Sequence, residues 1–301
     1  MGLEEFRIIF GNPHKTYYSG ETVTGNVFLV LNSPKKIRGI RVRIKGEAHT
    51  SWTVRINQHL TRYLGHEEYF STRYYIAGSE SGELELSAGN HEFTFEYALP
   101  KDLPSSFESD VGHVRYSIKS TIDRPWKYDH ETKDVFKVRF NYDLNTDPRA
   151  KQSVTVEESK SFGLFFASPP LTVNFSLPVI GYVPGQSIPI KVNIENESGI
   201  PVNSVRITLN KYVTYRQEKS GPDFKTVKTK ITEVVNQLED KDTVSYEQML
   251  KIPPLQNSNL INCGIIDITY ILKLKAFVNK LSSADLKMAT PILIGTVPLH
   301  N

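Results

Sequence analysis

Apolar and polar positions alternate with a period of two through much of this chain, the spacing of strands with one face in a core and the other in solvent. In Ile40-Arg41-Val42-Arg43-Ile44-Lys45 the apolar side chains share one face and the basic ones the other. The same alternation runs through residues 91–99, with Phe93, Phe95 and Tyr97 on one face, and through residues 171–177. Further strands are predicted over residues 6–10, 114–119, 135–140, 191–195, 204–216 and 224–235, with a short strand and a Gly-Asn turn over 83–90. Residues 48–76 alternate poorly and read as two strands joined by an extended polar loop around 57–67. Asp123-Arg124-Pro125-Trp126 breaks the pattern, because proline cannot donate to a ladder. Residues 145–161 are polar with no sustained apolar face and read as a linker. Helix signals are scarce.

One stretch occurs twice. Tyr17-Tyr18-Ser19-Gly20-Glu21-Thr22-Val23, continuing to Val27 and Leu29, returns without a gap 165 positions later as Tyr182-Val183-Pro184-Gly185-Gln186-Ser187-Ile188, continuing to Val192 and Ile194. Arg41 then falls on Arg206. A glycine turn and a strand, repeated at this interval, predict two similar β-domains in tandem. The expected division is 1–160 and 161–301, each long enough for its own core. The fold class is all-β, two tandem antiparallel β-sandwiches of immunoglobulin-like kind.

Composition narrows the setting. A net charge of +3 does not argue for bulk nucleic-acid binding, and no aromatic-interleaved RNA-binding strand or helix-turn-helix accompanies the basic residues. The single cysteine, Cys263, forms no internal disulfide, which favours a reducing compartment. The first residues carry no charged and apolar leader, and Phe6 stands where an N-myristoylation motif wants Ser or Thr. No run of about 18 apolar residues exists to span a membrane as a helix.

Phe95…Leu99-Pro100…Leu103-Pro104-Ser105-Ser106-Phe107-Glu108…Gly112-His113-Val114-Arg115-Tyr116…Ile122-Asp123-Arg124-Pro125-Trp126 resembles the N-domain signature of the arrestin domain-containing proteins, the α-arrestins. Gly181-Tyr182-Val183-Pro184-Gly185 resembles the opening of their C-domain, and residues 291–299 are similar to its close. The resemblance covers nearly the whole chain. It implies a non-enzymatic cytosolic adaptor that links transmembrane cargo (receptors, transporters) to endocytic sorting and ubiquitylation machinery, with no cofactor. It also implies a location peripheral to plasma membrane and endosomes. α-Arrestins recruit HECT-type ubiquitin ligases through Pro-Pro-x-Tyr. Pro169-Pro170-Leu171-Thr172 and Pro253-Pro254-Leu255-Gln256 both lack the tyrosine, so that recruitment would need a tail absent from this chain. Some α-arrestins carry cysteines near Phe162-Gly163-Leu164-Phe165-Phe166-Ala167; this chain has none there. The alternatives are a retromer-subunit-like coat protein and a structural double Ig-like interaction module.

Candidate chemistry is sparse. Eight histidines lie scattered, with no His-Glu-x-x-His or His-x-His, so no metal site is read. No Gly-x-Ser-x-Gly elbow or phosphate loop appears, and no catalytic residue is assigned. Lys35, Lys36, Arg38, Arg41, Arg43 and Lys45 stand together without an acid between residues 33 and 46. In the second half Arg206, Lys211, Arg216, Lys219, Lys225, Lys228 and Lys230 outnumber Glu218 and Asp223. Of these, Lys211, Arg216, Lys225 and Lys228 join the first cluster as candidates for binding an anionic membrane or a phosphorylated tail. The competing reading is the solvated face of amphipathic strands. Cys263-Gly264-Ile265 is similar to the Cys-x-Ile setting of the thioredoxin-interacting protein, an α-arrestin that forms a mixed disulfide. That marks Cys263 as a candidate redox thiol. The plainer reading is a small apolar residue at a strand start, with thioredoxin not expected as a partner.

Overall fold

The period-two stretches are strands in the computed structural model, which describes residues 2–125, 128–162, 169–219, 221–239, 242–278 and 285–300. Trp126 and residues 163–167 of the apolar stretch lie outside the described residues. The chain divides into two units. The first comprises Met1–Phe140, Tyr215–Lys225 and Leu260–Ile266; the second comprises Asn141–Thr214, Thr226–Asn259 and Asp267–Asn301.

In the first unit the strands are β1 (Leu3–Phe10), β2 (Thr16–Tyr18), β3 (Thr22–Leu31), β4 (Lys35–Ile37), β5 (Gly39–Ile56), β6 (His59–Gly78), β7 (Leu84–Leu86), β8 (Gly89–Ala98), β9 (Phe107–Glu108), β10 (Gly112–Asp123) and β11 (His130–Arg139). One sheet runs β1-β3-β8 and the other β2-β11-β10-β5-β6, with β9 on β10 and a small β4-β7 pair beside them. Ile40, Val42 and Ile44 are fully buried, as their alternation requires. Aromatic edges fill the core: Phe10 meets Phe95 edge-on with ring centroids 6.3 Å apart, and Tyr17 meets Phe136 at 5.8 Å.

The second unit carries β12 (Val154–Lys160), β13 (Leu171–Leu177), β14 (Gly181–Tyr182), β15 (Ser187–Asn196), β16 (Val202–Arg216), β17 (Phe224–Gln237), β18 (Thr243–Lys251), β19 (Ile266–Val278) and β20 (Leu286–Ile294), except that the ends of β16 from Tyr215, of β17 up to Lys225 and of β19 at Ile266 belong to the first unit. Its sheets run β12-β13-β15-β18 and β14-β20-β19-β16-β17. Val205, Ile207 and Leu209 are fully buried.

Two segment readings are corrected. The expected loop around 57–67 is a tight hairpin. Ile56 pairs with His59, and the two intervening residues, Asn57 and Gln58, have φ of 48° and 69°. Positive φ at both central residues is the type I′ geometry, whose twist matches the flanking strands. The expected linker carries two 3₁₀ turns, Leu144–Thr146 and Pro148–Lys151, and then β12, which pairs along its length with β13. Its polar residues are those of an edge strand.

The sequence repeat is a repeat of structure. Tyr17 and Tyr182 are each 5% exposed, and Gly20 and Gly185 turn at φ of 86° and 93°. The amide of Gly20 donates to Pro100 O and that of Gly185 to Ile252 O. Each short strand before the turn pairs in parallel, β2 with β11 and β14 with β20. In each unit a buried tyrosine on a central strand donates its hydroxyl to a loop carbonyl: Tyr116 to Pro104 O at 2.6 Å, Tyr270 to Gln256 O at 2.8 Å.

Candidate binding surface

The outward row of β5 places Arg41, Arg43, Lys45, Glu47 and His49 along one face, since their neighbours Val42, Ile44 and Ala48 are buried. The basic residues that stand together in sequence meet acids from elsewhere. Arg41 reaches Asp123 Oδ2 at 3.3 Å and Asp129 at 3.2 Å, and Arg38 reaches Asp123 Oδ1 at 3.5 Å. Asp123 is 5% exposed and also accepts the Tyr75 hydroxyl at 2.6 Å. Lys36 pairs with Glu83 at 3.3 Å, and Lys35 Nζ stands 3.2 Å from His130 Nε2. Lys45 reaches Glu47 at 2.5 Å and Glu68 at 3.3 Å. Arg43 donates to Ser71 Oγ at 2.9 Å and has no carboxylate at ion-pair distance among the described residues. Arg41 is therefore part of an ion network centred on the buried Asp123 carboxylate rather than an uncommitted outward charge.

The second cluster is spread over two strands. Lys211 is half-buried beside Gln256, and burial pulls its ammonium below the usual lysine range. Arg216 lies over the Phe224 ring at 5.7 Å. Lys225 and Lys228 are exposed on the edge strand β17.

The β5–β6 hairpin tip adds a feature that the sequence pattern hid. Val54, Ile56, Leu60 and Leu64 are 40, 44, 70 and 54% exposed, interleaved with Arg55 and Arg62. Both faces of this two-stranded tip meet solvent, so its sequence has no core face to alternate with; that poor alternation over 48–76 was the available signal.

On the same side of the sheet, pairing of β10 with β5 and of β5 with β6 sets His113, His49 and His66 in one cross-strand row. Glu47 stands two residues from His49 on the same face. Its Oε2 lies 2.9 Å from His49 Nε2 and 3.2 Å from His66 Nε2, and the His49 and His66 rings stack at 4.3 Å. Burial alone would raise the Glu47 carboxyl; hydrogen bonds from Lys45 and His49 hold it down at about 2. The residues border a cleft of about 570 Å³ that also includes Arg115 and Lys133. Among the described residues this is the group whose donor atoms converge enough to hold a metal ion. Sequence spacing could give Glu47 and His49; His66 and His113 need the strand register.

Cys263 is half-buried in the first unit, beside Tyr69. Burial pushes its thiol up, opposite to the shift that activates reactive cysteines. The neighbouring Gly264 amide donates to Glu67 Oε2 at 2.9 Å.

Comparison with known proteins bears on the whole chain. Residues 6–145 match the family of the arrestin (or S-antigen) N-terminal domain, and residues 167–299 match that of the arrestin (or S-antigen) C-terminal domain. The chain is 29% identical to arrestin domain-containing protein 17 of Caenorhabditis elegans, over 98% of this chain and 71% of that protein. It is 28% identical to arrestin domain-containing protein 4 of Homo sapiens, over 99% of this chain and 72% of that protein. It is 26% identical to arrestin domain-containing protein 1 of Mus musculus, over 99% of this chain and 65% of that protein. Among the described residues no helix is long and apolar enough to cross a membrane. With both domain families matched in order, and the duplicated sandwich of the structure behind them, the chain belongs to the arrestin family as an α-arrestin-like, arrestin domain-containing protein.

Proposed function

We propose that this arrestin-family adaptor links transmembrane cargo to endocytic sorting and ubiquitylation machinery, acting in the cytoplasm at the surface of the plasma membrane and endosomes, without catalysis of its own. The observation that carries the binding part of this reading is the β5–β6 hairpin tip. Its four exposed apolar side chains stand beside Arg55 and Arg62, and Arg43 lies further along the outward row of the same strand. Apolar side chains interleaved with two arginines suit the cytoplasmic leaflet or a cytoplasmic tail, where each basic residue near an anionic surface contributes on the order of 1 kcal/mol. Lys36, Arg38, Arg41 and Lys45 act there through ion pairs that open to a competing phosphate. Lys225 and Lys228 offer exposed positive charge on the edge of their own sheet.

The test is affinity purification from cells with the parent chain and with a Leu60→Ser, Leu64→Ser, Arg43→Glu variant. These side chains lie outside the core, so the variant is expected to melt like the parent. The parent should enrich transmembrane proteins, and the variant should lose them. An unchanged partner set, or one made of coat subunits, refutes the reading.

A further inference from the structure

The geometry points to a zinc-class metal site on the outward face of the first unit, formed by the Glu47 carboxylate and the Nε2 atoms of His49 and His66, with one coordination position open to the cleft. The argument begins with separations. A tetrahedral ion with bonds of about 2.0–2.1 Å holds its donor atoms roughly 3.3 Å apart. The two nitrogens lie 2.9 and 3.2 Å from the same Glu47 oxygen, and the donor atoms all fall within 4.8 Å of one another. Two of the three donor separations already match a coordination sphere, and the third falls within 4.8 Å.

The donor chemistry is selective. Two imidazoles and one carboxylate suit zinc and its first-row neighbours; calcium and magnesium want oxygen donors throughout. A site of three protein ligands with a fourth position left to solvent is the arrangement that accepts an outside ligand. Here the open position faces a cleft of about 570 Å³ bordered by His113, Arg115 and Ser117. The His113 ring stands 5.3 Å from that of His49 and lines the same cleft.

Nearby cations oppose the ion; Lys45 and Arg115 each have another partner, whereas Arg62 and Lys133, which also line the cleft, have no carboxylate at ion-pair distance among the described residues. Lys45 is 2.5 Å from Glu47 but also 3.3 Å from Glu68, so its ammonium can transfer to that carboxylate when metal arrives. Arg115 is held by Glu108 through two hydrogen bonds of 2.7 and 2.8 Å, which offsets its charge. Strand pairing sets the ligand backbones in advance, because His49 and His66 are directly opposed in the β5–β6 ladder.

The test is calorimetric titration of the untagged full chain with zinc chloride, together with the visible spectrum of the cobalt(II) form. One equivalent should bind with micromolar or tighter affinity, and the cobalt spectrum should show tetrahedral intensity. His49→Gln and His66→Gln should each weaken binding at least tenfold, while His91→Gln, remote from the cluster, leaves it unchanged. Lys45→Gln removes the competing ammonium and should tighten binding several-fold. Zinc should raise the melting temperature of the parent and not of His66→Gln, and melting in EDTA verifies that each variant folds. Absence of binding at 100-fold excess zinc, or equal binding by the parent and both histidine variants, overturns the site.

Discussion

Asp123→Asn removes the charge at the centre of the ion network on β5 and β10 while preserving shape. In the native chain the carboxylate, 5% exposed, accepts the Tyr75 hydroxyl at 2.6 Å and faces Arg41 at 3.3 Å and Arg38 at 3.5 Å. A hydrogen bond to a charged group contributes about 1.5–3 kcal/mol. Breaking a fully buried pair from one side costs about 3–5 kcal/mol. Two features lower that figure here. The Arg38 side chain is 41% exposed and relaxes into water, and Arg41, 25% exposed, keeps Asp129 at 3.2 Å. The expected loss is about 2–3 kcal/mol, with most of it from Tyr75 and Arg41. Arg38→Gln should cost less than about 1 kcal/mol, as exposed pairs do. Urea unfolding measures both, and a double-mutant cycle of Asp123→Asn with Arg41→Gln should show coupling of at least about 1 kcal/mol. If Asp123→Asn stays within about 0.5 kcal/mol of the parent, or costs no more than Arg38→Gln, the network does not stabilise the sheet as argued.

The paired tyrosines should behave alike. Tyr116→Phe and Tyr270→Phe each leave a loop carbonyl without its donor and should cost about 1–2 kcal/mol in chemical unfolding; a loss in one and none in the other would break the structural equivalence of the two units. Asp147 accepts from Arg149 and from the Tyr142 hydroxyl, and chiefly the Arg149 hydrogen bond holds its carboxyl below the ordinary 3.8. A depressed folded-state value means that the stabilisation is complete above the unfolded value and is lost as pH falls through the folded one. Asp147→Asn should therefore lose less melting temperature than the parent between about pH 5 and about pH 2; parallel melting curves over that window would refute the pairing.

Strands that face a core on one side were legible residue by residue, because a buried Val42 beside an outward Arg43 repeats with the pleat. The hairpin at 54–64 was not, since side chains exposed on both faces carry no period. β12 was read as linker for a related reason: an edge strand of polar residues has few apolar positions to reveal it. The duplicated turn survived translation into structure because Gly20 and Gly185 occupy backbone angles that disfavour other residues. The basic row was legible as charge but not as electrostatics, because Asp123, Glu83 and Glu68 reach it only through folding. The Glu47, His49 and His66 cluster shows the same limit: no local motif encodes a group assembled across strands.

The first unit is discontinuous along the chain, and that affects its history during synthesis. Its eleven strands have all been made once Arg139 is added, yet the unit also contains Leu260–Ile266. At about 5–20 residues per second, the ribosome reaches that segment on the order of ten seconds later. Throughout that interval the Glu67 carboxylate lacks the Gly264 amide that it accepts from in the finished protein, and Tyr69 lacks Cys263. Until residue 266 arrives the nascent N-terminal sandwich is incomplete, and a fragment ending at residue 160 would lack both contacts for good.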